Sequence, residues 1–580
     1  MKRIILATLS IALVSGCSSK RESPSVTNIG ATGDTGFANP QDSNERLPLS
    51  GGTLLVDEAA GEAWVSDPDN DEVVRVDLDQ TRVRDEIDLG AGSEPSRLAQ
   101  DDEGRVHVVL RGTGEVATLS TSGSVLAHRS VCDAPRGLDV DRAHAEVVVA
   151  CATGELCRMS TAPDGEVSCK FVELDLRDVV VTDARVFVST FRQAEVLVFD
   201  SAGKAVARSR PASSELSEPT VAWRMQHHGD GVVVSHQMAS NQVIEVGTVS
   251  PPNAYGGGSS NPGTPGIVEG AFSTFDENGT VIETRLLGSN AVLPVDVAFR
   301  ADLQDVAVAA AGSGLVFDSV GASDFGEPVA VAFVGERIVV QAQRPARLIV
   351  YSPQADAPEP IDQIELPAVP STIGFDIFHR TPDGPAMSIA CASCHPEGRE
   401  DGHIWNFALN NGNGPESRPR RTQSLLGGIS KTAPFHWDGD LPTLDALMSE
   451  VFSRRMGNRD LSSFEVKQLA SFLDSMPELP SNEASSEVDT GRAAFEKAGC
   501  DSCHAGDALR SAGGSNVGSG GRFQVPSLRG LRLRAPYMHD GCAATIADRF
   551  TPSCGGTNHG NVAALDAVEL SALITYLSSL

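Results

Sequence analysis

The chain is short of positive charge: 46 Lys and Arg stand against 77 Asp and Glu, a formal net charge of −31 over 580 residues. That balance argues against nucleic acid and against anionic membrane surfaces as electrostatic partners. The part after residue 370 carries 18 basic and 24 acidic residues, only −6 of the total, so the acidity belongs to the N-terminal part and reads there as a solvated surface. The apolar run from Ile4 to Val14 is too short to cross a bilayer comfortably. With 41% apolar and 21% charged residues the chain is nevertheless globular, and its length calls for two or three domains.

Lys2-Arg3, the run that follows and Ser15-Gly16-Cys17 have the layout of a secretory signal. Val14-Ser15-Gly16-Cys17 resembles a bacterial lipobox, which implies a signal peptide over 1–17 and lipidation of Cys17. Ser18 behind it resembles outer-membrane sorting, so an exported outer-membrane lipoprotein facing the periplasm or the cell surface is expected. Cleavage by ordinary signal peptidase, giving a soluble periplasmic product, is the alternative. Residues 18–50 read as a flexible tether rich in Ser, Thr, Gly, Asn and Asp.

Two stretches organise the rest: Cys391-Ala392-Ser393-Cys394-His395 and Cys500-Asp501-Ser502-Cys503-His504. Each is a C-x-x-C-H signature, in which two thiols attach a haem covalently and the adjacent His becomes an axial iron ligand. Two c-type haems are therefore expected, held by Cys391 and Cys394 and by Cys500 and Cys503, with His395 and His504 as proximal ligands. A zinc site or a redox Cys pair is the alternative reading. Setting aside Cys17 and these four thiols leaves six of the 11 cysteines, an even number in an oxidising compartment. Cys157 and Cys169 flank the turn-like Ala162-Pro163-Asp164-Gly165, and Cys132 with Cys151 and Cys542 with Cys554 are the natural remaining pairs. Other connectivities stay open.

From 51 to 366 short Val-rich runs alternate with period two and are separated by Gly, Asp and Asn turns, the pattern of strands. A strand–turn–strand phrase recurs about every forty residues, first at Glu62–Ser66 with Asp71–Asp77 and last at Arg337–Val340 with Ala346–Val350. Seven copies are found, and the stretch resembles the seven-bladed propellers of the periplasmic "YVTN" or lactonase-like kind. An open solenoid is the alternative. The fifth copy carries an insertion from Pro251 to about Gly270, expected as a surface loop covering one end of the ring or facing the haem region. His227, His228 and His236 near it read as exposed or structural, and no catalytic constellation is found in this region.

After Pro370 the spacing of apolar residues turns helical, giving a multidomain chain: a propeller over 51–366, then all-α units over 371–480 and 485–580. The two units repeat one order of features. Gly374 and Phe378 precede the first haem motif as Gly491 and Phe495 precede the second, and Ala433-Pro434-Phe435-His436-Trp437-Asp438-Gly439 matches Ala535-Pro536-Tyr537-Met538-His539-Asp540-Gly541. This set resembles the bacterial di-haem cytochrome c peroxidase and MauG family over 371–580. The resemblance implies tandem cytochrome c-like domains whose haems exchange electrons, one storing an electron and the other reacting with peroxide or oxidising a partner. It also implies a Ca2+ ion between the domains, for which no ligands are assigned.

The resemblance points to Met456 as the distal ligand of the first haem, and the corresponding segment of the second unit offers His559. His436, Met538, His539 and His403 are reserves, and Trp437 lies where the family often has a Trp between the haems. The segment Asp440 to Met456 is shorter than in peroxidatic members, and Glu450 is the acid–base group at hand there. The function expected is electron transfer between two covalent haems, with hydrogen peroxide reduction or oxidation of a partner protein. A pure electron-transfer cytochrome with both irons six-coordinate and the propeller as a docking module is the alternative. A lactonase-like propeller with accessory haems is a third.

Overall fold

The computed structural model describes residues 46–246, 254–255, 266–300, 305–353, 360–368, 370–381, 389–410, 412–481, 485–556 and 558–580. The signal peptide, Cys17, the tether up to residue 45 and most of the 251–270 insertion lie outside the described residues.

Seven four-stranded antiparallel sheets follow one another from Leu54–Asp57 to Asp362–Glu365. The first strand of each sheet lies against the first strand of the next, and Leu54–Asp57 lies against Pro328–Val334 of the seventh. Apolar clusters fill every gap between successive sheets. The cluster that joins Leu54, Val65 and Val74 of the first sheet to Ala330, Val339 and Leu348 of the last closes the ring. The chain therefore forms a seven-bladed propeller. Because both faces of a blade are covered by its neighbours, inner strands such as Glu62–Asp67 are buried on both sides. The outermost strands, such as Arg82–Asp88 and Ala205–Ser209, are largely exposed, and the charges of Arg82–Asp88 blunt the free edge of its blade.

The tether ends earlier than expected. Arg46 pairs with Asp69 at 3.2 Å and with Glu327 at 3.0 Å, and its guanidinium lies 4.0 Å from the centre of the Phe375 ring. The Leu49 N–H donates to His379 Nε2 at 3.3 Å. Residues 46–50 are thus fixed between the propeller and the first helix beyond it.

Beyond residue 371 the chain is built largely of helices and short turns, with two departures from the all-α expectation, the lesser being the antiparallel pairing of Gly514–Ser515 with Phe523–Gln524 in the second unit. Ile404–Asn410 and Pro415–Arg421 form a hairpin, and Ile244–Val246, a strand leaving the fifth blade, pairs parallel with its first strand. The edge that the blade insertion exposes is covered by the hairpin. In the first unit the helix Ile373–His379 crosses Ser463–Ser475; in the second, Ser486–Lys497 crosses Ala567–Ser579. Glycine permits each crossing: a Cβ on Gly374 would lie 2.3 Å from the Gln468 carbonyl oxygen, and one on Gly491 2.0 Å from that of Ala572. One turn on, Phe378 meets Phe472 and Phe495 meets Tyr576, each pair with ring centres 5.5 Å apart. Both halves also share a cis peptide before Pro434 and Pro536, a left-handed residue at His436 and Met538, and a bridge, Phe435 with Leu441 and Tyr537 with Ala543.

Candidate haem centres

Each C-x-x-C-H motif occupies one helical turn, and the His N–H closes that turn onto the first Cys carbonyl: His395 to Cys391 and His504 to Cys500, both at 2.9 Å. Among the described cysteines only Cys391, Cys394, Cys500 and Cys503 are free thiols. The remaining six are joined as Cys132–Cys151, Cys157–Cys169 and Cys542–Cys554. Burial pushes the Cys391 thiol up to about 12 and the Cys394 thiol well above its ordinary range, so both are held protonated. Burial also lowers His395 to about 4 and lowers His504, which leaves neutral imidazoles, the form that binds a metal.

The second motif opens onto a cavity of about 700 Å³ lined by Cys500, Cys503, His504, Met538 and His559. His504 Nδ1 donates to the Leu509 carbonyl at 3.1 Å, which fixes the ring and leaves Nε2 for a ligand. His559 faces it across the cavity. Their ring centres are 6.3 Å apart with the planes 28° from parallel. Two imidazoles bound on opposite sides of one metal through bonds of about 2 Å, with ring centres about 1.2 Å behind each nitrogen, would stand about 6.4 Å apart, close to this spacing. The His559 Nδ1 is buried without a partner, and burial first, then Arg549 and His504, lower this ring to about 3. The pair fits the two axial ligands of a haem iron.

The first motif opens onto a cavity of about 290 Å³ that holds Cys391, Cys394, His395, His436 and Met456. Met456 ends a π-helical turn, Met448–Arg455, in which its N–H reaches back five residues to the Val451 carbonyl at 2.9 Å. Its side chain is 5% exposed. His436 is engaged with Asp440 at 3.1 Å. The propeller supplies part of this cavity: Tyr255 lines it, and its hydroxyl accepts from Arg455 Nη1 at 2.9 Å.

Arg421, Trp437 and Gln524 line both cavities. Trp437 Nε1 donates to the Arg421 carbonyl at 2.8 Å, and the Gln524 N–H donates to the Trp437 carbonyl at 2.8 Å. His539 lines the second cavity, stacked on Phe523 with ring centres 3.9 Å apart and 6.5 Å from Trp437. The remaining reserves are tied up elsewhere. His403 contacts the Ser240 carbonyl at 3.2 Å and Glu218 at 2.9 Å on the propeller, and Glu450 is paired with Arg454 and Arg455. His227 contacts Asp139 at 2.9 Å and His236 contacts Ser273 at 2.8 Å.

The residues just past His395 are gripped by the propeller. Glu397 accepts from Arg177 at 2.8 Å and from Arg111 at 3.1 Å. Burial would raise its carboxyl, but Arg111, Arg177 and Arg136 together hold it well below the usual range. Its backbone is left-handed at φ 53°, a conformation that a non-glycine residue keeps where its surroundings enforce it. Glu400 meets Arg192 at 3.2 Å, Gln237 donates to the Ser393 carbonyl at 2.7 Å, and Arg399 meets Asp175 at 2.7 Å. Sequence reading missed these contacts, together with Arg421, Gln524 and Tyr255. Their one visible trace was the unusual Glu397-Gly398-Arg399-Glu400-Asp401 run directly after a haem motif.

Residues 1–18 match the prokaryotic membrane lipoprotein lipid attachment site, so the chain carries a lipoprotein attachment site at its N terminus. Among the described residues no helix is long and apolar enough to cross a membrane. Comparison with curated proteins gives no match. Among solved structures the chain is similar to Kuenenia stuttgartiensis hydrazine synthase, at 13% identity over 54% of this chain and 98% of that one, TM-score 0.45. It is also similar to BamB from Moraxella catarrhalis, at 14% identity over 52% and 83%, TM-score 0.33. A third is a catalytically inactive virginiamycin B lyase from Staphylococcus aureus, at 11% over 52% and 93%, TM-score 0.39. The propeller assignment rests on the sheet order and the ring of clusters.

Proposed function

We propose that the protein is an exported, lipid-anchored di-haem c-type oxidoreductase that passes electrons between two covalently bound haems. One observation carries the reading: two duplicated C-x-x-C-H turns open onto two cavities that share the wall Arg421, Trp437 and Gln524. Cys391 with Cys394 and Cys500 with Cys503 would each hold one haem by adding their S–H bonds across its two vinyl groups. When bound, such haems supply one-electron chemistry at iron. His395 and His504 would be proximal ligands, with Met456 and His559 opposite them. Trp437, which lines both cavities, would set a conjugated ring between the two haems. The lipid on Cys17 would hold the molecule on a membrane; an outer-membrane location and a partner protein that gives or takes electrons belong to the same reading.

Of the two chemical readings, pure electron transfer is favoured over peroxide reduction. His559 stands opposite His504, and the first cavity holds Met456, so each site has its own sixth ligand at hand. Low-temperature EPR of the oxidised holoprotein tests this. Two low-spin signals without peroxide turnover support electron transfer, whereas a high-spin signal at the first haem with peroxide turnover supports the peroxidase. A purified chain without a haemochrome spectrum overturns both.

A further inference from the structure

At the junction of the propeller and both haem cavities four guanidinium groups surround two carboxylates. Arg192, Arg399, Arg421 and Arg534 face Asp175 and Glu400, and none of the four arginine side chains is more than 7% exposed. The surplus is two positive charges, buried, and a buried charge calls for a counter-charge. Arg192 and Arg399 are matched: both hold Asp175, at 2.8 and 2.7 Å, and Arg192 also holds Glu400 at 3.2 Å. Arg421 and Arg534 are not. Each stands off Glu400, at 3.7 and 3.6 Å, and each spends its hydrogen bonds on neutral backbone carbonyls. Arg421 Nη1 donates to those of Arg534 at 2.7 Å and Pro536, and Arg534 Nη1 to those of Ser527 at 2.7 Å and Arg529 at 3.1 Å, so neither charge is met by a carboxylate at hydrogen-bond distance. These two unmatched groups are the ones that face the cavities: Arg421 lines both, and Arg534 lines the second.

Resting on the di-haem reading, we propose that Arg421 and Arg534 form a carboxylate seat for one propionate from each haem, with Arg421 shared between the two. Two propionates neutralise the surplus of two charges. The guanidinium fork suits them because it presents paired donors to a planar carboxylate. Arg192 of the propeller contacts the same Glu400 oxygen that Arg421 and Arg534 approach, so the propeller would tune both haems through a residue that itself lines neither cavity.

The experiment is resonance Raman spectroscopy of the propionate bending bands together with potentiometric titration of the full-length holoprotein. In Arg421→Gln the propionate bands of both haems shift and both midpoint potentials fall, because loss of a cation stabilises the more positive oxidised iron. Arg534→Gln moves the bands of the second haem alone. Glu400→Gln adds to the positive surplus and raises both potentials. If Arg421→Gln does not assemble, Arg421→Lys is read instead: it keeps the charge and loses the fork, so the bands shift while the potentials stay near those of the wild type. Two bound haems whose propionate bands are unchanged in the Arg421 variant, or changed at one haem only, overturn the proposal. A wild-type chain without haem overturns the di-haem reading and the proposal with it.

Discussion

The rings of His504 and His559 face each other at 6.3 Å between centres and 28° between planes, close to the separation that a single six-coordinate metal between them would set. His559→Ala removes one ring and leaves the other held by the Leu509 carbonyl. The expected outcome is one low-spin haem converted to high spin, with new binding of carbon monoxide at that haem, while covalent attachment persists. A variant that keeps two low-spin EPR signals would assign the sixth position of the second haem to another group, Met538 being the next in the cavity wall.

Met456 presents the matching test on the other side. A thioether ligand stabilises reduced iron and raises the potential. Met456→Ala should therefore lower the potential of the first haem and leave the second unchanged, as followed by a redox titration. If Met456 only fills space, the same change costs about 2–5 kcal/mol of stability and moves neither potential first.

The grip on Glu397 predicts a stability effect remote from any iron. Glu397→Gln leaves Arg111 and Arg177 facing each other without their shared carboxylate, and removing one partner of a buried pair costs about 3–5 kcal/mol. Thermal unfolding should move down by several degrees, with the propeller and the first haem unit destabilised together. Glu416→Gln, an exposed pair with Arg418, should change stability by less than about 1 kcal/mol.

Much of this was legible in the sequence because it repeats. The seven Val-rich phrases gave seven blades, since each blade carries one strand–turn–strand unit that recurs about every forty residues. The paired glycines Gly374 and Gly491 were visible as a duplication, but their reason, a helix crossing too close for a Cβ, needed the fold. What stayed hidden was contact between regions far apart in the chain. The sequence pattern reads Asn241–Ile244 as the partner of Gly231–Ser235 in the fifth blade, but that place is taken by Val268–Phe275, beyond the insertion, and Ile244–Val246 pairs instead with Ile404–Asn410 of the neighbouring unit. Likewise Arg177 and Glu397 are 220 residues apart, and nothing local marks either as the other's partner.

His379 sets a pH dependence that can be read without any haem signal. Its Nδ1–H donates to the Phe375 carbonyl at 3.1 Å and its Nε2 accepts from the Leu49 N–H at 3.3 Å, so the neutral ring satisfies both nitrogens. Burial lowers this histidine to about 3, with Arg46 adding to the shift, and burial lowers His236 to about 4. In the unfolded chain both titrate near an ordinary value of about 6.5. Unfolded molecules therefore take up the protons first, and stability, complete above about pH 6.5, falls as the pH drops toward 4 by up to roughly 1.4 kcal/mol per unit for each group. His379→Gln should lower the melting temperature at pH 7 and flatten its fall between pH 6.5 and 4. Parallel slopes for variant and wild type would place the acid sensitivity elsewhere, because a ring that is protonated in both states contributes no slope.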